Sequence, residues 1–532
     1  MGISQILATS SQIRFSLETS ASQLTVVEKA PVIGGSPART LSEIRALVKD
    51  GTVSIPRFDG KHDRLTSRFE IYDGSEKLPG ICFVTDFSAD ASVNHEAYPQ
   101  PVTIKALGGT REDVQRLQLH QTLCNLNLPA MMTTQPAPDD IAHEYDGRTY
   151  YFVRSAVESA DRHMISSHEM GLLVTLILLN APRHFGGRGD KRLESMAIHP
   201  DYDRNFPDAF ISAFNLETED GAGFFGAFID FLAQRYTRAD RKYGFVGGMV
   251  ISNEINSQYV WGNAGDKTCH EYCLEYTYAL RTAWLCGHKH YSNLRVYVSL
   301  DHYWDTLCHD RTQPTRYYPG RTCIEEINRN TQTDGDFDWN IAHHPYPEDL
   351  SWCNFWMDRS PNFSFSTPRI TFKNMEVLEA YMAQKHMLYR GQPRRLIFSE
   401  QGFNSRGDAF KELTEEWAAA AYCLAYMKAR KMKTLDLFTH HAYVDNPHEF
   451  GLNLGIRRYD PEAPGHLGEC KPIYYSIEDM DTDREPARIE KSRQVVGPQL
   501  FDFLLDPPIE KTDEDVNFFQ QGRKNQGSDF GT

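Results

Sequence analysis

Cysteine is scarce in this 532-residue chain, with ten in all and no CxxC pair. That excludes a disulfide-stapled scaffold and the usual paired-knuckle zinc site. Cys269 and Cys273 share an i, i+4 spacing that reads as two free thiols on a helix rather than a metal site. No apolar run approaches the roughly 18 residues of a spanning helix. The longest candidate, Leu172 to Leu179, is far too short. Positive charge is also lacking, since the formal net charge is −16. That field opposes nucleic acid and anionic membranes as partners. Met1 to Ser11 has no basic stretch leading into an apolar one, so no signal peptide is expected. The reading is a cytoplasmic protein if the chain is full length, and a secreted or periplasmic one if a leader was removed. Neither GxGxxG nor GxxxxGK[ST] follows the first strand, which argues against a doubly wound open sheet.

What the chain does have is aromatic residues, at 12%, and two textures. Residues 1–103 read as a small, β-rich, sandwich-like accessory domain. Ile13, Phe15 and Leu17 alternate with polar neighbours, the period of a half-buried strand. Leu24–Val27, Val53–Phe58, Phe69–Tyr72 and Ile81–Val84 are further strand candidates. Gly34-Gly35, Asp59-Gly60 and Asp73-Gly74 separate them as turns.

From residue 104 to 484, short apolar runs alternate with amphipathic helices, the α/β pattern of a (β/α)₈ TIM barrel. The strands are expected at Leu119–Leu128, Leu172–Asn180, Phe245–Asn253, Arg295–Leu300, Trp339–His344, Arg395–Glu400 and Thr434–His441. Helices are expected near Asp161–Met170, Gly223–Tyr236, Glu271–Leu285, Met375–Tyr389 and Glu415–Arg430, with a last one starting near Ile473. Residues 485–532 read as a wrapping or disordered tail.

In a parallel barrel the C-terminal strand ends converge on one mouth. The fourth strand ends in Asn253-Glu254 and the seventh in Ser399-Glu400. Two facing carboxylates are the minimum equipment for cleaving a glycosidic bond. One is protonated and serves the leaving oxygen, while the other is ionised and attacks the anomeric carbon.

With these residues the chain resembles glycoside hydrolase clan A, the retaining TIM-barrel glycosidases. Asn-Glu ends strand four in that clan and Glu ends strand seven. The resemblance implies Glu254 as acid/base, Glu400 as nucleophile and Asn253 as the holder of the sugar 2-hydroxyl. His344-x-Tyr346 is similar to the clan's His-x-Tyr motif, whose Tyr contacts the nucleophile. The chain also resembles an uncharacterised bacterial family of such barrels. It departs from the clan at Leu179-Asn180-Ala181-Pro182, taken as the end of strand two, where an Arg is common; Arg183 lies beyond. It departs again at Thr439-His440-His441-Ala442-Tyr443, where strand eight often ends in Trp.

Further substrate-binding candidates stand near strand ends: Asn180, Asp301, His302, His343, His440 and His441, with Trp261 as a stacking platform. Trp304, Trp352 and Trp356, in loops after strands five and six, are platform candidates too, and Asn125, Asn127 and Tyr303 are weaker candidates of the same kind. The expectation is a carbohydrate substrate, no metal and no cofactor. A glycan-binding barrel without activity and a metal-dependent hydrolase on a TIM barrel are the alternatives.

Overall fold

The computed structural model describes residues 2–33, 38–182, 190–308 and 313–509. Eight strands close into a barrel in chain order. Barrel strands 1 to 4 are Lys105–Ala106, Gln121–Asn127, Leu173–Leu179 and Val246–Ile251. Strands 5 to 8 are Arg295–Leu300, Trp339–His343, Leu396–Phe398 and Leu435–Thr439. The pairings described between them are parallel. The chain divides into two compact units. One comprises residues 1–100, 123–299 and 308–340; the other comprises 101–122, 300–307 and 341–532.

In the first unit, the N-terminal region forms separate small sheets. One is four-stranded and runs Asp86–Phe87, Gly2–Ala8, Gln12–Glu18, Thr52–Pro56. The other runs Thr40–Leu47, Gln23–Lys29, Arg68–Asp73, Glu76–Lys77. Phe15 of the first sheet meets Phe69 of the second edge to face, ring centres 5.2 Å apart. Both side chains are buried, so the alternating inward residues supply the interior. The expected strand Ile81–Val84 is not one; Gly2–Ala8 and Thr40–Leu47 are strands that periodicity did not single out.

Strands 3 and 4 of the barrel are buried along their whole length. Their unbroken apolar runs are what a parallel sheet covered on both faces requires. Strand 4 carries Gly247 and Gly248 because there is no room for more. A Cβ on Gly248 would stand 2.7 Å from the Tyr297 ring of strand 5. Helix Cys269–His290 follows strand 4 and starts on a capping box, Thr268 with Glu271. That box satisfies two of the helix's orphan N–H groups.

In the second unit, barrel strand 1 is only two residues long. The strand expected first, Leu119–Leu128, is therefore the second, and the one ending at Leu179 is the third. Strand 1 gave no sequence signal because one of its two residues is Lys105. Its ammonium is fully buried, donates to the Met480 carbonyl at 2.5 Å and pairs with Asp481 at 3.6 Å. The expected helix Met375–Tyr389 is shorter, Glu376–Met382 followed by a 3₁₀ turn at Lys385–Met387.

Residues 485–509 of the second unit include two helices, Glu485–Val496 and Pro498–Leu505, packed on helix Lys411–Lys431. Phe501 and Leu504 are buried there. Lys428 and Lys431 donate to the Leu504 and Leu505 carbonyls, at 2.6 and 2.8 Å. They satisfy acceptors that the last turn of a helix leaves open. Residues 510–532 lie outside the described residues, as does Arg183. Among the described residues no helix is long and apolar enough to cross a membrane.

Candidate active site

Strand 4 ends in a tight, left-handed turn. Ser252 has φ 68° and Glu254 φ 38°, an αL conformation that residues with a Cβ adopt at a cost. Three polar contacts hold the turn. Tyr276 donates to the Ile251 carbonyl at 2.6 Å. Ser252 Oγ donates to the Trp261 carbonyl at 3.3 Å. The Glu254 N–H donates to Ser299 Oγ, at the end of strand 5, at 2.9 Å. The turn thus fixes the backbone of Asn253 and Glu254, whose side chains are half-buried. Trp261, also half-buried, ends the short helix Gln258–Trp261. It lies against Phe210 with ring centres 5.2 Å apart and planes 31° apart, so one face of the indole is already covered.

Strands 6 and 7 of the second unit carry the other carboxylate. Tyr346 is buried, and its hydroxyl donates to Glu400 Oε1 at 3.2 Å. His344 Nε2 hydrogen-bonds Ser399 Oγ at 3.0 Å. Its backbone N–H donates to the Leu300 carbonyl at 2.9 Å. The residue before Glu400 is therefore tied to strand 6. Ser399 was not singled out from the sequence, although its place next to Glu400 was visible there.

Histidine pairs divide by pleat, because adjacent strand residues point to opposite faces. His343 is sealed in the barrel wall. It donates from Nε2 to the Ile370 carbonyl at 2.9 Å, and burial pushes its pKa down to about 3. His440 repeats this with the Leu454 carbonyl at 2.9 Å, and burial again takes it to about 3. Both are neutral braces, and neither offers a ring nitrogen hydrogen to a ligand. Of their neighbours, His344 is also buried, whereas His441 differs. His441 is half-buried, and Nε2 donates to Glu449 Oε1 at 3.2 Å. Burial lowers its pKa, but Glu449 and the charge of Glu400 outweigh that and raise it. Glu449 sits in the loop after strand 8, where nothing in the local sequence marks it. The peptide bond His441–Ala442 is cis.

The remaining candidates are placed as follows. Asn180 is fully buried, and its amide donates to the carbonyls of Ala197 and Ala213, both at 2.9 Å. It braces loops after strand 3 and is no longer the occupant of the strand-two position. Strand 2 ends at Asn127, whose side chain exchanges two hydrogen bonds with Ala181, 2.8 and 3.0 Å. Asp301 accepts from the Tyr303 N–H at 2.8 Å, and the His302 ring lies 4.5 Å from that of Tyr303. Asp301 and His302 are buried, and Tyr303 is half-buried under Arg369. Trp304 is sealed, donating from Nε1 to the Phe365 carbonyl at 2.9 Å. Trp356 is buried beside Trp417, and half-buried Trp352 carries Arg406 over its face. Asn125 is exposed. Of the loop tryptophans Trp304, Trp352 and Trp356, Trp304 and Trp356 are core.

Residues 97–502 match a family described as "Family of unknown function (DUF5722)". No protein of curated function matches the chain. Among solved structures it is similar to a family 39 glycoside hydrolase from the gut symbiont Bacteroides cellulosilyticus WH2. The identity is 12% and the TM-score 0.43, over 90% of this chain and 81% of that one. It is similar to GH5_18 from Streptomyces cattleya, in complex with GlcNAc, at 15% identity and TM-score 0.41, covering 74% and 84%. A GH53 catalytic domain from Ignisphaera aggregans matches at 10% identity and TM-score 0.40, covering 71% and 89%. At that degree of likeness neither chemistry nor substrate carries over.

Proposed function

The chain belongs to DUF5722, a family of unknown function, and we propose that it is a retaining glycoside hydrolase. It cleaves an O-glycosidic bond of an oligo- or polysaccharide by double displacement. Glu400 attacks the anomeric carbon and forms a glycosyl-enzyme ester. Glu254 gives its proton to the leaving oxygen, then takes one from the water that hydrolyses the ester. Asn253 holds the 2-hydroxyl of the sugar in the glycosylated subsite. Retention requires the two carboxylates to work roughly 5–5.5 Å apart.

One observation carries this reading. Glu400, at the end of barrel strand 7, accepts a hydrogen bond from the buried Tyr346 hydroxyl at 3.2 Å. A tyrosine in the loop after strand 6 holds one carboxylate oxygen and leaves the other to act as nucleophile. The left-handed turn that presents Glu254 supports it. Backbone strain of this kind is kept where function needs the geometry.

The test is a screen of the purified protein against aryl glycosides and polysaccharides, followed by proton NMR of the first-formed product. Turnover with the anomeric configuration kept supports the proposal. Inverted product overturns the double displacement. Absence of turnover on the full panel, with glycan binding intact, points instead to a binding barrel.

A further inference from the structure

In the first unit three cysteines converge. Cys269 Sγ lies 3.8 Å from Cys273 Sγ and 3.8 Å from Cys323 Sγ. All three sulfurs lie within 4.8 Å of one another. Cys269 and Cys273 are one turn apart at the start of helix Cys269–His290. Cys323 stands in the first turn of helix Gly320–Asp334. The starts of two helices therefore meet at one group of thiols. Cys273 and Cys323 are buried, and Cys269 is partly exposed.

From this geometry we propose that Cys269, Cys273 and Cys323 form a binding site for a thiophilic divalent cation, zinc as the type, that pins the two helices together. A Zn–S bond of about 2.3 Å puts sulfurs on a tetrahedron about 3.8 Å apart, the spacing found for two of the three pairs. Oxygen-seeking cations such as calcium and magnesium find no hard ligand in this set. On binding, three S–H bonds lose their protons to solvent and three metal–sulfur bonds form. This site is separate from the proposed carbohydrate chemistry and does not depend on it.

The full-length protein is purified under reducing conditions, incubated with zinc, desalted and assayed for metal. The expected result is one zinc per chain, with cobalt giving a thiolate charge-transfer absorption in its place. Cys269→Ser and Cys323→Ser should lower zinc affinity by about two orders of magnitude, while Cys470→Ser, not a member of the group, keeps it. Unchanged retention in both cluster variants overturns the proposal. So does reduced wild-type protein that takes up neither zinc nor cobalt. A metal-free disulfide between two of the three cysteines in the reduced preparation overturns it in favour of a redox pair. If the variants do not fold, the cobalt absorption of the wild type decides by itself.

Discussion

The Tyr346 hydroxyl donates to Glu400 Oε1 at 3.2 Å, joining the loop after barrel strand 6 to the end of strand 7. In double displacement that carboxylate changes from ion to ester and back, so a donor on one oxygen orients the other. Tyr346→Phe keeps the ring and removes only the hydroxyl. A hydrogen bond to a charged group contributes about 1.5–3 kcal/mol. We expect kcat/KM on an aryl glycoside to fall about 10- to 100-fold, with the fold unchanged by circular dichroism. A fall in thermal stability with kcat/KM preserved would make Tyr346 a packing residue only.

The two carboxylates separate by kinetics. Glu400→Ala should abolish turnover on every substrate, because no other group forms the glycosyl-enzyme ester. Glu254→Ala should still be glycosylated by a dinitrophenyl glycoside, whose leaving group needs little protonation. Azide needs no general base, so it should rescue Glu254→Ala and give a glycosyl azide of retained configuration. With Glu400→Ala, azide attacks the substrate directly and gives the inverted product. NMR of the azides reads the outcome, and the opposite pattern swaps the roles. Near-normal rates in both variants remove the proposal, since each group accounts for several kcal/mol of barrier lowering.

An ion network in the N-terminal sheets makes stability depend on pH. His62 Nε2 meets Glu28 Oε1 at 2.6 Å, and its Nδ1 meets Asp146 Oδ1 at 2.5 Å. Hydrogen bonds to Asp146 and then Glu28 raise the His62 pKa to about 10, against burial. The folded state therefore holds this proton more tightly than the unfolded chain, whose His titrates near 6.5. Its contribution is complete below about pH 6.5 and is lost as pH rises toward 10, and partial solvent exposure leaves it at ~2 kcal/mol. Urea denaturation at pH 6.5 and pH 9.5 should show that loss in the wild type and a flatter profile in His62→Gln. Equal slopes would mean that the ion pairs contribute nothing net.

Glu28 runs the other way. Burial raises its pKa, but hydrogen bonds from His62, Ser42 and Ser67 outweigh this and bring it to about 2. Its contribution is present above about pH 4.5 and disappears as pH falls toward 2. Acid titration of Glu28→Gln should remove this part of the acid-induced loss. An acid unfolding curve that matches the wild type in shape and midpoint shift would exclude Glu28 as its source.

Lys428 is fully buried, pairing with Glu376 at 2.5 Å and donating to the Leu504 carbonyl at 2.6 Å. Lys428→Met leaves a carboxylate and a helix-end carbonyl without their donor. The cost should be about 2–4 kcal/mol in denaturant midpoint analysis. Lys428→Met with Glu376→Gln should recover part of it. A cost under about 0.5 kcal/mol, the range of ordinary surface changes, would mean that the C-terminal helices are not anchored by this lysine.

Sequence by itself determined the alternation of apolar runs and helices, because a parallel barrel needs strands buried on both faces. Strands 3 and 4 announce themselves as LVTLILL and VGGMVI. It also placed Glu254 and Glu400 where such runs stop. Tertiary structure alone decided the strand count at the start, since two residues carry no period and Lys105 hides the strand. It alone decided that His343, His344 and His440 are buried while His441 is half-buried. His343 and His440 are neutralised by burial, and they are held by carbonyls well along the chain, Ile370 and Leu454. Cys323 joined Cys269 and Cys273 for the same reason. Spacing along a helix is local and readable, whereas the meeting of two helix starts is set by packing, which no window of sequence contains.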